Sequence, residues 1–384
     1  MKNVLIAVLL LFSIHITPVA AQRRGEQLNL TGDKRSLSSG KEIFEGACVG
    51  CHGADGKGQP KPILGFEPPA TFPDFSDCPT TTPETNLQWK AIITDGGPAR
   101  GFSEIMPSFR EALKPDQIDM VIGYLRSLCK ESQWPLGEFN LPRPLYTEKA
   151  YPENETVITN RANANKDGFF SSSVIYEKRF GARNNLEFVV PFNFSQSLGP
   201  TGNKIWYGGV GDVTVEYKRV LYHNSHSGTL LTGAGEFNFA TGNKNLGLGN
   251  GVMVIEPFIS IAQLLPKRSF IQIQTGYEFP THTDDRPRES FFRSAVGKSF
   301  SPDHDLGRIW TPMLELVTAR EYETGAKVEW DLAPQMQVTL SRRQHIRANA
   351  GVKFPVNNFN GRAIEIGFYL LWDWFDGGFL QGWR

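Results

Sequence analysis

Cys48, Val49, Gly50, Cys51 and His52 follow the spacing Cys-x-x-Cys-His. That spacing lets two thiols form thioethers with the vinyl groups of a haem while the adjacent imidazole turns to the iron. The stretch before it, Ser39 to Ala47, has a capping serine and helix-forming residues, so the thiols stand at the end of a helix. A thioredoxin-like dithiol would want a βαβ setting and a zinc site a second ligand pair, and neither is present in the sequence. A haem iron in an electron carrier needs a sixth ligand, and a thioether raises its potential relative to a second imidazole. Met106, 54 residues beyond His52 in a loop stiffened by Pro107, is the candidate. Met120, the competitor, lies in the helical stretch Pro115 to Lys130 and reads as core. The expected cofactor is one covalent haem c held by Cys48, Cys51, His52 and Met106, with His52 and Met106 on the iron. With both axial positions filled no site is open to substrate, so the chemistry reads as electron carriage rather than catalysis.

The remaining cysteines, Cys78 and Cys129, are expected to pair in an oxidising compartment, the alternative being two free buried thiols. All four cysteines precede residue 130 and the last 255 residues contain none, which itself marks a domain boundary. No hydrolase triad, phosphate loop or second metal cluster is visible. His282, His304 and His345 are isolated, and His223 with His226 makes only a weak metal pair.

Lys41 to Gly58, "KEIFEGACVGCHGADGKG", resembles the first helix and haem loop of class I cytochromes c, and Met106 to Leu128 resembles their methionine loop and last helix. The resemblance covers roughly residues 38 to 130. It implies an all-α haem domain in which Pro62, Ile63, Leu64 and Trp89 line the pocket, and Tyr124 and Leu125 pack the last helix on the first.

Around this domain the chain is organised by composition. Residues 1–21 carry a basic start, an apolar run and small residues before Gln22, the pattern of a secretory signal peptide. A short N-terminal linker, 22–37, precedes the haem domain, 38–131, and the proline-bearing stretch 132–155 reads as a semi-extended linker. Forty basic and forty acidic residues cancel, which removes the electrostatic case for a nucleic-acid partner.

Over 156–384 the periodicity changes to two, as in Phe188, Val190, Phe192 and Phe194, or Ile364, Ile366, Phe368 and Leu370, each run opposing polar residues. The runs are about as long as tilted membrane strands, connections alternate short and long, and aromatics cluster at strand ends. An antiparallel transmembrane β-barrel of about twelve strands is expected, with Arg219 and Lys298 near strand ends. Segments such as "GVGDVTVEYKRVL", "GAGEFNFATGN" and "NAGVKFPVNN" resemble the outer-membrane barrel family of meta-pathway phenol degradation, and the whole is similar to cytochrome-porin fusions.

A haem domain of ~95 residues, with a radius of gyration of ~12–13 Å, is too wide for a twelve-stranded lumen and should sit at or under its periplasmic mouth. The expectation is an electron-transfer protein anchored in outer-membrane lipid, cytochrome to the periplasm. One haem under an apolar band ~25 Å tall needs a redox partner, another cytochrome or a small redox solute. Glu187, Asp212, Glu216, Glu236 and Glu365 would line the lumen, as an attraction for cations or as plain hydrated wall. Two other readings stand beside this one. One is a solute-transport barrel with a redox-sensing cytochrome, the other a periplasmic redox-enzyme subunit whose β-domain is soluble.

Overall fold

The computed structural model describes residues 38–58, 68–69, 72–165, 168–198, 202–301 and 307–374. The expected signal peptide 1–21 and linker 22–37, with Pro62, Ile63 and Leu64, lie outside them. Among the described residues no helix is long and apolar enough to cross a membrane.

The N-terminal part is helical: α1 Gly40–Ala47, α2 Val49–His52, α3 Cys78–Thr81, α4 Asn86–Asp95 and α5 Pro115–Leu128. A capping box starts α1, the Ser39 hydroxyl accepting from the Glu42 amide at 3.3 Å while the Glu42 carboxylate accepts from the Ser39 amide at 3.1 Å. Proline opens α5, whose buried Ile118, Val121, Ile122 and Leu125 form one stripe at helical spacing. Met120 falls off that stripe and is 39% exposed, so it is not core as its helical setting led us to expect. The helices α1 and α5 cross at Gly40, where a Cβ would lie 1.9 Å from the Met120 carbonyl oxygen. One turn further on, Phe44 meets Tyr124 with ring centroids 5.3 Å apart. Cys78 and Cys129 form a disulfide that ties α3 to the end of α5.

Thirteen strands follow: β1 Glu155–Asn163, β2 Phe169–Phe180, β3 Asn184–Leu198, β4 Lys204–Val210, β5 Val213–Asn224, β6 Thr229–Phe239 and β7 Val254–Leu265, then β8 Ser269–Pro280, β9 Glu289–Lys298, β10 Trp310–Glu321, β11 Glu329–Thr339, β12 Ile346–Pro355 and β13 Glu365–Asp373. Every neighbour pairs antiparallel, and β13 closes on β1. The upper half of β3 pairs with β4 and its lower half with β5, so these two are one stave broken at Gly211-Asp212. The result is a closed barrel of twelve staves. Over 197–209, where the alternation of short and long connections would place one of the long loops, β3 runs to Leu198 and Lys204–Val210 is strand, because the chain continues the stave. Lys298 is the last residue of β9, as expected, whereas Arg219 lies mid-strand in β5, where it is opposite Asn184, the first residue of β3, and donates to the Asn184 side-chain oxygen at 2.8 Å.

The alternation is inside out relative to a soluble sandwich. Ile158, Val174, Phe188, Phe192, Ile259, Tyr277, Leu314 and Phe368 are exposed, whereas Glu177, Glu216, Lys218, Gln272, Gln274 and Glu315 are buried. One reason is that the lumen is filled by the chain itself. The segment expected to be a linker enters the barrel and returns to β1. At its apex the Glu315 carboxylate accepts amide hydrogen bonds from Leu145 (2.9 Å), Tyr146 (3.2 Å) and Thr147 (2.7 Å). Gln272 donates to the Pro142 carbonyl (2.8 Å), Thr232 to that of Ala150 (2.6 Å), and the Leu145 side chain lies where a Cβ on wall residue Gly367 would reach it at 3.1 Å. Lower down, Phe139, Leu141, Ala150 and Tyr151 pack on Val220, Leu230, Ala262 and Phe270 of the wall.

Candidate functional site: the Cys48–His52 turn and its surroundings

Cys48 ends α1 and starts α2, its amide donating to the Phe44 carbonyl at 2.8 Å. One helical turn therefore presents Cys48, Cys51 and His52 together, all half-buried, the two thiols free of any disulfide. The chain turns sharply after His52 because Gly53 takes a left-handed φ of 71°, which brings the Gly58 amide to the His52 carbonyl at 2.8 Å. The His52 ring lies among aromatics, stacked on Phe72 (4.9 Å between centroids) and tilted against Phe75 (5.1 Å), which meets Trp89 edge-on at 5.6 Å. Trp89 on α4 thus backs the pocket from a second layer.

Burial holds the His52 imidazole at a pKa of about 4, so it is neutral at physiological pH, the form that binds iron. Its Nδ1 is buried without a hydrogen-bond partner among the described residues. Burial, reinforced by Cys51, pushes the Cys48 thiol up to about 11. Two thiols and a neutral, apolar-walled imidazole on one turn form the donor set that haem c requires, and these residues fit it.

Met106 lies on the loop that follows α4. The Gly97 amide donates to its carbonyl at 3.0 Å and its own amide to Ser103 at 3.3 Å, and its side chain is half-buried. Pro107 and Ser108 are exposed, but the Ser108 hydroxyl donates to the Thr94 carbonyl at 2.6 Å and the Phe109 amide returns to Ile93 on α4 at 3.0 Å. The loop is thereby strapped to the helix that carries Trp89.

The haem domain rests on the short-turn end of the barrel. In the turn between β11 and β12, Arg343 donates to the Gly101 carbonyl (3.2 Å) and covers the Phe102 ring (4.3 Å), and His345 lies 3.7 Å from Glu84. On the other side of the junction the Gly137 amide donates to Thr82 at 2.7 Å, rooting the lumen segment on the haem domain.

A second constellation was not foreseen. Strand register lines up Asp373, Glu155, Glu177, Glu187, Glu216, Glu236 and Glu256 as successive cross-strand partners around half the wall. Arg143 from the lumen segment answers it, donating to Glu155 (2.7 Å), Glu177 (2.5 Å) and Glu148 (3.2 Å), with Glu187 3.7 Å away. Lys218 lies 2.8 Å from Glu148, 3.6 Å from Glu216 and 3.7 Å from Glu177, and Lys149 pairs with Glu153. Of the lumen carboxylates expected from the sequence, Glu187 and Glu216 belong to this network. Asp212 accepts the Gly242 and Asn250 amides, and Glu365 the Tyr146 hydroxyl. These four are internal partners rather than hydrated wall.

The cytochrome c family profile matches residues 37–129. Among solved structures the barrel is similar to an outer membrane channel from Pseudomonas putida F1, at 14% identity over 60% of this chain and 99% of the channel, with a TM-score of 0.44. It is also similar to the NanC porin (9% identity, 57% and 98% covered, TM-score 0.40) and the KdgM porin (8%, 57% and 99%, TM-score 0.39). No curated protein sequence matches the chain. At these scores the barrel assignment stands on the strand pairing above. The N-terminal helices are a cytochrome c domain, and the same chain continues into a closed twelve-stranded antiparallel β-barrel.

Proposed function

We propose that this protein is an electron carrier fixed at the outer membrane: one haem c attached through Cys48 and Cys51, ligated by His52 and Met106, on a domain held at the periplasmic end of its own barrel. The observation that carries the reading is the single turn presenting two half-buried thiols beside a half-buried, neutral imidazole. Bound there, the haem supplies a one-electron Fe(III)/Fe(II) couple. The protein's part is to hold the imidazole against Phe72 and Phe75, to keep water from it, and to fix the Met106 loop on α4.

Membrane residence is supported by the outward belt of aromatic and aliphatic side chains, which a water-soluble β-domain would not leave uncovered. The filled lumen favours the anchor over the solute-transport reading and over a redox solute descending the barrel to the haem, so the partner we favour is a protein meeting the cytochrome on the short-turn side.

Two measurements test this. The protein should leave isolated outer membranes with detergent and not with high salt. Its acid-unfolded mass should equal the processed chain plus one porphyrin. Pigment released by acid, or extraction by salt alone, would refute the corresponding half.

A further inference from the structure

The loop that carries Met106 is held from two sides. From within its own domain Gly97 is the hub: it donates to the Met106 carbonyl (3.0 Å) and accepts from the Phe102 amide (2.9 Å). A Cβ on Gly97 would stand 3.3 Å from that of Met106, so the turn from 97 to 106 is too tight to let one end move without the other. From outside, the barrel grips the near end of that turn. Arg343 donates to the Gly101 carbonyl and stacks on Phe102, while Arg100 reaches back to the Arg342 carbonyl at 3.5 Å.

The gripping turn is itself rigid. Leu340 donates to the Ile346 carbonyl (2.7 Å), Ser341 Oγ accepts the His345 amide (3.0 Å), and Gln344 takes a left-handed φ of 65° between them. Glu104, Ile105, Pro107 and Ser108 of the loop are exposed, so the barrel turn is the cover on the 101–102 side.

We propose that Arg343 is a positioning residue for the sixth haem ligand: the barrel, through this guanidinium, fixes the loop that presents Met106, so docking and haem ligation are coupled. The inference rests on the reading of Met106 as that ligand.

Full-length holoprotein in detergent tests it, with imidazole titrated into the ferric form to displace the thioether. Freeing Gly101 and Phe102 should raise imidazole affinity in Arg343→Ala by roughly tenfold, the scale of one charge-assisted hydrogen bond with a cation–π contact. The thioether-to-ferric-iron absorption band should weaken in parallel. Arg343→Lys should recover part of both, and Arg342→Ala, which removes a neighbouring exposed cation but keeps its carbonyl, should match the parent. Phe102→Leu gives an independent variant with the same expected direction should Arg343→Ala fold poorly. Parent-like imidazole affinity in both Arg343→Ala and Phe102→Leu would overturn the coupling. If Met106→Ala itself titrates like the parent, the ligand assignment fails and the coupling with it.

Discussion

Gly40→Ala separates the close helix crossing from ordinary helix propensity by the sign of its effect. Gly40 is the first residue of α1 and carries no positive φ, so alanine fits the backbone. On an exposed helix the exchange would stabilise by up to ~1 kcal/mol. Here the new methyl would lie 1.9 Å from the Met120 oxygen, 2.6 Å from its carbonyl carbon and 3.0 Å from the Tyr124 Cβ. Two of the three are backbone atoms and do not rotate away. Ordinary contact begins at 3.4 Å, so α1 and α5 must part by about 1.5 Å (3.4 less 1.9), and the Phe44–Tyr124 contact at 5.3 Å opens with them. Overpacking of this kind costs ~1–3 kcal/mol. In a domain of this size each kcal/mol shifts the midpoint by ~4–8 °C, so a fall of about 4–24 °C is expected. The assay is thermal loss of the haem-region circular dichroism in the full-length protein, which reports the helical domain without the barrel. A midpoint that rises, as for an exposed glycine, would refute the crossing.

Cys78→Ser/Cys129→Ser should lower the stability of the haem domain by ~4 kcal/mol, the chain-entropy value for the 51-residue separation it closes, read as a fall in the denaturant midpoint of the haem signal. Ile259→Arg, placing a charge mid-strand on the outward face where the isoleucine is 45% exposed, should cost ~2–4 kcal/mol in folding titrations into lipid vesicles, and an unchanged midpoint would argue against lipid on that face. A Thr147→Cys reporter, buried at the apex of the lumen segment, should resist a bulky polar maleimide in the parent and react once Arg143→Ala is added, since this removes the nearest cation of both Glu155 and Glu177 and leaves them only the longer contacts to Lys149 and Lys218, at a cost of up to ~3–5 kcal/mol. Rapid labelling in the parent would show an open lumen.

The strands were legible because an outward apolar face survives in the sequence as strict alternation. Phe188, Phe192 and Phe194, read as one face of a strand, are exposed together, and Gln272, Gln274 and Glu278 are buried together. The haem turn was legible because it is local: two thiols and an imidazole within five residues need no tertiary information. Met120 was misjudged although the signal was present, since Ile118, Val121, Ile122 and Leu125 already define a stripe that excludes it. The lumen segment was not legible. Its prolines break any period, and Arg143, Glu148 and Lys149 look like solvated linker charges until partners on the wall are known, such as Glu155, 12 residues beyond Arg143, and Lys218, 70 residues beyond Glu148. The glutamate row was hidden for the same reason, because register between strands is set by turns and bulges rather than by any one strand.

That row makes the filled lumen part of the barrel's own stability. Like charges on directly opposed residues of neighbouring strands repel, and here Glu155, Glu177, Glu187 and Glu216 stand in sequence around the wall with almost no water access. The wall's own Lys218 reaches Glu177 and Glu216, which leaves Glu155 and Glu187 to be met from inside. Arg143 is placed within reach of both, and Lys149 lies 3.6 Å from Glu155. Withdrawing the segment as a unit would strip both cations from carboxylates buried in the wall, so an empty barrel could persist only if water flooded the lumen or protons neutralised the row. The same segment is rooted on the cytochrome at Thr82 and continues into β1, and Arg343 grips the Met106 loop a short way off. Lumen filling and wall are therefore expected to resist unfolding together, and because the segment is rooted on the cytochrome a mutation at Arg143, remote in sequence from Cys48, should move the haem signal on denaturation, though by less than it moves the barrel's.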